Sequence, residues 1–421
     1  MKRNPVPKSC LAPFSLGACL GSALLAAAPA TYAQAAETGN AARIEKLEKE
    51  NLELRRRLDA LEGVNNSAGA GMPTNVLRTL TKSTISGFVS GSYFYDTSTP
   101  PDNSPNGYLW NRHHNSFTLN KLKITLASPP AEQNGDQWSV GYRASLIFGE
   151  DSPLVDTGLG ANGFGNIREA YVDVNVPVGT GLNVKVGQLI SLLNFESGDG
   201  GAANPNFSQG NQWFFTGNGP SAGVQLGYVI NDKVDVKARI QNGLYTGAVD
   251  NNGFKTFMGS VGIKPDSKTA ISLIGFGGRE GAAASEWLKG GSIIASRQLA
   301  EAFNLNIATE LDYFNLDLPA GKTTDWWSLG GWFWADLTTK LGIALRGDYM
   351  KDSDGAGTSG LLGFPTNPGM DLLSATLTLN YHPVPNIKIQ PEIRYDHTSL
   401  AGGFDGRRNR FILGVGVSYL F

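Results

Sequence analysis

The sequence predicts an all-β fold, a 16-stranded antiparallel transmembrane β-barrel preceded by a short N-terminal α-helical coiled coil. Three observations predict it. From about Thr84 to Phe421 apolar and polar residues alternate with period two, in segments of about ten residues. The connections between those segments alternate short and long. The composition combines 53 glycines in 421 residues, 10% aromatics and only 17% charged residues with 41% apolar ones. That apolar share excludes a disordered chain, and a formal net charge of −2 excludes a dedicated nucleic-acid binder, which needs a basic face. Beyond the first 33 residues no apolar run approaches the length of a spanning helix, so a membrane address has to rest on strands.

Taken from the N-terminus, residues 1–33 read as a secretory signal peptide. Lys2, Arg3 and Lys8 form its basic region, the stretch 11–28 is apolar, and Thr31-Tyr32-Ala33 offers small residues for cleavage. Cys10 and Cys19 both lie in this leader, so the mature chain is expected to contain no cysteine. Losing three cations and no acid takes the formal net charge from −2 to −5. Residues 40–62 carry heptads. Ile44, Asn51 and Leu58 occupy one seam position, and Leu47, Leu54 and Leu61 the other. A seam so narrow suits a helix that packs on copies of itself in the periplasm, with Asn51 fixing the register; a solvated surface helix is the plainer alternative. Three heptads are marginal alone, so another interface must support the oligomer. Residues 63–82 form a Gly/Asn/Ser linker leading into the barrel, 83–421.

Strands are expected to start near residues 84, 117, 137, 167, 182, 222, 234, 255, 269, 287, 303, 325, 341, 371, 386 and 409. The last is the clearest. Phe411, Leu413, Val415, Val417, Tyr419 and Phe421 form one face, against the mostly small Gly414, Gly416 and Ser418. A soluble sandwich would show the same alternation with its apolar face turned inward. Loop parity decides between them. Stretches 128–135, 177–181, 231–233, 265–268, 299–302, 338–340 and 383–385 are short, and stretches such as 97–115, 149–165 and 351–370 are long. Short periplasmic turns opposite long external loops are a barrel feature that a sandwich has no reason to share. Tyr93, Tyr95, Tyr313, Trp326, Trp327, Tyr349, Tyr395, Tyr419 and Phe421 lie near strand ends, where girdle rings meet lipid headgroups. The Trp-rich stretch 326–334 could instead stack sugars.

The longest loop, about 192–220, holds Phe195, Phe207, Trp213, Phe214 and Phe215 among glycines and asparagines. Loops of this length are usually functional or disordered. Around it stand Glu169-Ala170-Tyr171, the run 181–188, Phe195-Glu196, Thr216-Gly217, the strand 223–228 and Gln241-Asn242-Gly243. This stretch resembles the OmpL-like β-barrel porin-2 family of bacterial outer-membrane porins. The loop's position resembles that of the inward-folded constriction loop of general trimeric porins. The resemblance implies a passive diffusion channel in the outer membrane, narrowed by that loop, and a homotrimer.

If the apolar faces meet lipid, Lys121, Lys123, Arg143, Lys185, Lys237, Arg239, Arg346, Lys388 and Arg394 point into the pore. So do Glu169, Asp173, Asp235, Glu310, Asp312, Asp348, Glu392 and Asp396. Opposed basic and acidic walls orient hydrated solutes, and rings of one sign select ions; the plainer reading is salt bridging that stiffens the wall. Glu196 and Asp199 are the loop acids expected to face the basic wall, and the near balance of charge predicts weak ion selectivity. Enzymatic signals are thin. Gly158-Leu159-Gly160-Ala161-Asn162-Gly163 matches a dinucleotide motif but falls in an external loop, and Asp352-Ser353-Asp354-Gly355 lacks the distant Glu of a calcium loop. His113, His114, His382 and His397 show no catalytic or metal-ligand spacing, so no cofactor or metal is expected. The expected partners are outer-membrane lipid, two further copies of the chain through barrel wall and coiled coil, and the cell wall through the coiled coil. The alternatives are a substrate-selective channel, for sugars or an anion such as phosphate, and a structural outer-membrane anchor.

Overall fold

A computed structural model describes Lys49 and residues 82–107, 112–152, 166–250, 252–280, 286–318, 321–358, 364 and 368–421. The expected signal peptide, heptad seam (Ile44, Leu47, Asn51, Leu54, Leu58, Leu61) and most of the linker lie outside the described residues. The chain divides into Met1–Thr81 and Lys82–Phe421, and the second unit is the barrel.

Its strands are β1 (Thr84–Asp96), β2 (Ser116–Ala127), β3 (Ser139–Phe148), β4 (Ile167–Val176), β5 (Leu182–Leu189), β6 (Ser221–Asn231), β7 (Val234–Gln241) and β8 (Thr256–Ile263). They continue as β9 (Thr269–Glu280), β10 (Glu286–Ala300), β11 (Leu305–Asp317), β12 (Thr323–Asp336), β13 (Leu341–Asp352), β14 (Met370–Tyr381), β15 (Ile387–Thr398) and β16 (Asn409–Leu420). Each strand pairs with the next and β1 pairs with β16, which closes the barrel. All pairings are antiparallel, and every strand begins within two residues of its expected start.

Period-two alternation makes one face apolar and the other polar, and closure turns the apolar face outward. In β13 Leu345 is 45% exposed on the outer wall while its neighbour Arg346 is 3% exposed inside. Along β15 Lys388, Gln390, Glu392, Arg394 and Asp396 point inward, between the outward Ile389 and Ile393. The register shifts at four places among the paired strands, and two of these β-bulges turn consecutive side chains inward. One in β2 makes Asn120 and Lys121 both buried; one in β4 does the same for Arg168 and Glu169. An extra residue without a cross-strand partner lets consecutive side chains share a face.

Two expectations are corrected. Connections 281–285 and 318–322 have five residues each, no more than the turn 264–268, whereas 128–138 is longer than any of these, so loop parity is not strict. The strands β9 to β12 run to 12–15 residues, longer than the segments of about ten expected, which shortens the connections between them. Trp326 does not join the outer girdle. Adjacent residues of a regularly paired strand point to opposite faces, so Trp327 packs outward on Tyr349 while Trp326 points in and stacks on Phe314 at 5.3 Å. Tyr95, Tyr313, Tyr419 and Phe421 do face outward.

Placing an arginine at Leu345, mid-strand on the outer wall, should destabilise the barrel by about 2–4 kcal/mol. Denaturant titration of the protein folded in lipid vesicles measures this, and an unchanged midpoint would contradict the facing assigned to β13.

Candidate functional site: a loop docked across the lumen

The 31 residues between β5 and β6, 190–220, carry one short helix, α1 (Asn211–Phe215), and little other regular structure. A segment like this leaves many backbone N–H and C=O groups unpaired. The inward charges of the barrel wall supply the partners. Glu310 accepts the N–H groups of Asn194 and Phe195 at 3.0 and 2.9 Å. Glu392 accepts those of Phe207 and Ser208 at 2.9 and 3.3 Å, together with the Ser208 hydroxyl. Asp312 accepts from the Gln212 amide at 2.7 Å and the Thr216 hydroxyl at 2.8 Å.

Cations hold the opposite ends of the loop's peptide dipoles. Arg394 donates to Gln209 O at 2.7 Å and to Asn211 Oδ1 at 2.8 Å. Lys388 donates to Gly201 O and Asn204 O at 2.8 and 2.6 Å. Arg346 donates to Ser208 O and pairs with Glu196 at 2.9 Å; the other oxygen of Glu196 accepts the Gly210 N–H at 2.8 Å. Rings complete the docking. Phe195 lies 4.8 Å from Trp332, and Trp326 donates its indole N–H to Phe215 O at 3.3 Å. Phe207 sits directly over Gly416, where a Cβ would come within 2.0 Å of the ring, so only glycine admits it. At the loop's far reach Asp199 bonds Lys123 of β2 and, at 3.3 Å, Arg168 of β4.

The predicted residues therefore face inward but divide by role. Lys123, Glu310, Arg346, Lys388 and Arg394, expected to line the pore, point inward but are buried against the loop they anchor. Glu196 and Asp199 both meet inward basic residues, Glu196 at Arg346 and Asp199 at Lys123 and Arg168. Lys121 pairs with Asp151 at 3.0 Å at the root of the preceding external loop. Arg143 pairs with Glu169 at 2.5 Å. Asp173 accepts from Asn183 at 2.5 Å. Lys185 lies 4.8 Å over the Tyr171 ring, and Lys237 is 3.5 Å from Asp235. Arg239 donates to Gln225 at 2.6 and 3.1 Å and to Ile190 O at 2.8 Å, where the loop begins.

Sequence reasoning missed three participants. Arg168 was hidden by its bulge, and Asp151 by its place in an external loop. Arg410, bonded to Asp396 at 3.0 Å and Asp96 at 3.3 Å, was legible by carrying the alternation of β16 one step further.

Towards the external ends of β8 to β14 the inner face is apolar. Met258, Ile274, Phe276, Leu288, Phe314, Trp326, Met350 and Leu372 form one buried cluster there with Leu193 and Phe215 of the loop and Leu244. This packing fills that side of the barrel. Across the lumen the wall stays wet: the side chains of Arg143 and Lys237 are 37% and 42% exposed. Between the two limbs of the loop a cavity of about 380 Å³ is lined by Ser191, Phe195, Trp213, Asn218 and Tyr245, with Arg168 behind.

Two outcomes follow from this geometry. Arg346→Met leaves Glu196 and Asp348 buried without their cation, a loss of about 3–5 kcal/mol where one partner of a buried pair is removed. The loop should then become cleavable by protease in intact folded protein, and resistance equal to wild type would refute the anchoring role. Burial pushes the Asp199 carboxyl up, but Lys123 and Arg168 outweigh it and hold the group below the ordinary aspartate value. A depressed carboxyl stabilises docking above its unfolded pKa of about 4 and loses that contribution as pH falls through the folded value. Loop accessibility should therefore rise only below about pH 4, and Asp199→Asn should remove that part of the pH dependence.

A profile of the family described as "Putative beta-barrel porin-2, OmpL-like" matches residues 82–421. A search of curated proteins finds no match. Among solved structures, an anion-selective porin from Comamonas acidovorans is similar at TM-score 0.56 and 11% identity, over 80% of this chain and 99% of that one. The outer membrane channel DcaP of Acinetobacter baumannii gives 0.52 and 14%, over 80% and 97%. The trimer form of OmpT, an outer membrane protein of Vibrio cholerae, gives 0.52 and 11%, over 80% and 99%. At such identities the likeness is one of fold. The family profile, in contrast, runs the length of the barrel, and the chain accordingly belongs to the OmpL-like β-barrel porin-2 family: it is a porin of the bacterial outer membrane, a channel for passive diffusion.

Proposed function

We propose that the docked loop sets the bore of this channel, and that small hydrophilic solutes and ions pass it on the side of β3 to β7. The observation carrying this reading is the anchoring of loop 190–220 by the inward charges of the far wall. Solutes move down their gradients, and the residues of the lumen orient and exclude rather than react; no catalytic residue is assigned. The chain acts as a homotrimer whose barrels share their outer walls in the lipid. The trimer form of OmpT and the apolar outer face support that assembly. The heptads at 40–62 would tie the three copies together in the periplasm after removal of residues 1–33, and could reach the cell wall.

A second reading, a channel selective for ring-bearing solutes such as sugars, draws support from the cavity lined by Phe195, Trp213 and Tyr245. Rings of this kind offer flat faces beside hydrogen-bonding amides.

Planar-bilayer recording tests both. Wild type should insert in large steps, commonly in threes. Deleting residues 194–218 should raise the conductance of each step, and an unchanged step would mean the loop lies outside the conducting path. Millimolar sugar that blocks the wild-type current, but not the current of Trp213→Ala, would favour the selective channel.

A further inference from the structure

We infer that the open side of the lumen prefers small anions, and that Lys185, Lys237 and Arg239 form the selecting strip. The inference rests on the porin reading and adds an ion class to it. Lys185 on β5, Gln225 on β6 and Arg239 on β7 stand in one cross-strand row, with Lys237 two residues along on the same inward face. Alternate residues of one strand lie about 7 Å apart, and strands two apart lie about 10 Å apart, so the three cations share a single patch.

Nearby acids offset this patch only in part, two carboxylates, Asp173 and Asp235, standing beside three cations. Asp173, opposite Lys185 in register, makes its hydrogen bonds to the Asn183 amide at 2.5 Å and the Ala131 N–H at 3.4 Å. Among the described residues Asp235 pairs with Lys237 at 3.5 Å, and its side chain is 27% exposed against 42% for the lysine, so the cationic end meets more of the water. Arg239 is held among the described residues by neutral acceptors, Gln225, Gln241 and Ile190 O, which satisfy its donors without neutralising its charge. Exposure points the same way. The Arg143 side chain is 37% exposed while that of its partner Glu169 is 5% exposed, so lumen water meets the cationic end of the pair.

The acids of the far wall cannot restore the balance. Glu196, Glu310, Asp312 and Glu392 are buried, and each already accepts hydrogen bonds from the loop. The loop lies between them and the waterway. Charge that is nearly balanced along the chain is thus sorted in space: beneath the loop acids and cations are paired and buried together, and on the open side three cations, Lys237 the most exposed of them, outnumber two acids. Low-dielectric walls focus the field of such a strip into the lumen, and rings or strips of one sign select ions.

The test is the reversal potential of the full-length protein in planar bilayers under a KCl gradient. Wild type should be chloride-preferring, strongly at ionic strengths near 0.01 M, where the screening length is about 30 Å, and weakly near 1 M, where it is about 3 Å. The double variant Lys185→Gln/Lys237→Gln should lower the chloride-to-potassium ratio by roughly two- to five-fold, since it removes charges that set a potential on the order of kT. Heat-modifiable gel mobility checks that the variant folds; if it does not, the half-exposed Lys237→Gln alone should show a smaller shift of the same sign. A potassium-preferring or unselective wild type with ordinary conductance would overturn the inference and leave the porin reading intact. Chloride preference unchanged in the folded variants would overturn the assignment to this strip. A protein that inserts and conducts nothing would instead overturn the porin reading, and the inference with it.

Discussion

A hydrocarbon solvent offers no hydrogen bonds, and this constraint underlies every other feature of the molecule. Each N–H and C=O at membrane depth must pair within the protein, and for strands the only complete solution is closure. The seam is the pairing of β1 with β16, from Phe88 opposite Leu420 to Asp96 opposite Ile412, locked by reciprocal bonds between Gly87 and Phe421 at 2.7 and 3.0 Å. Closure also removes the freedom of register. A slip of one residue would send Arg394 and Glu392 into lipid and bring Ile393 into the lumen. Facing is therefore a consequence of the backbone's need for partners, and the chemistry of the lumen follows from facing.

Inward facing creates a second demand. Carboxylates packed against a wall are costly unless each oxygen is bonded, and bonds to backbone N–H groups are among the strongest available to them. The loop has the complementary shortage: a stretch rich in Gly, Asn and Ser has too few apolar residues for a core and too many unpaired peptide groups. Glu310, Asp312 and Glu392 on one side, and the N–H and hydroxyl groups of residues 194–216 on the other, resolve both shortages at once. Arg346 and Arg394 do the same for the loop's carbonyls and for Glu196. Neither wall nor loop is satisfied alone.

This division explains what was legible in the sequence. The strands were, because lipid on one face and polar surroundings on the other impose period two on every segment, and β13 or β15 can be read residue by residue. Bulges were not. The extra residues Asn120 and Arg168 leave no trace in composition, yet each shifts a side chain to the other face. Strand length exceeds the expected ten or so residues across β9 to β12, which run to 12–15 residues. The inward placement of Glu310 and Arg394 was readable, but their service to the loop was not. That depends on which of several near-equivalent folds of a glycine-rich segment meets the wall, a matter of tertiary contact with no periodicity. Trp326 shows the same limit: its neighbour Trp327 behaves as a girdle residue, and only the register of β12 tells the two apart. The heptads at 40–62 remain a reading of spacing alone.

Net charge illustrates why the loop matters more than the totals. A chain near electroneutrality could present a neutral lumen, a dipolar one or a strip of one sign, depending on which charges are consumed in structure. A carboxylate that accepts two backbone N–H groups is surrounded by positive dipole ends, and its field on the far side of those peptides is weakened. The same holds in reverse for a guanidinium held by glutamine oxygens, so the sign that remains is set by which charges reach water, and there the side chains of Lys237 and Arg143 are 42% and 37% exposed. In the proposed reading, docking the loop on this charged wall narrows the lumen and also chooses which sign of charge the remaining water meets. On that reading size and charge filtering have one origin, the set of bonds between residues 194–216 and the inward faces of β11 to β15.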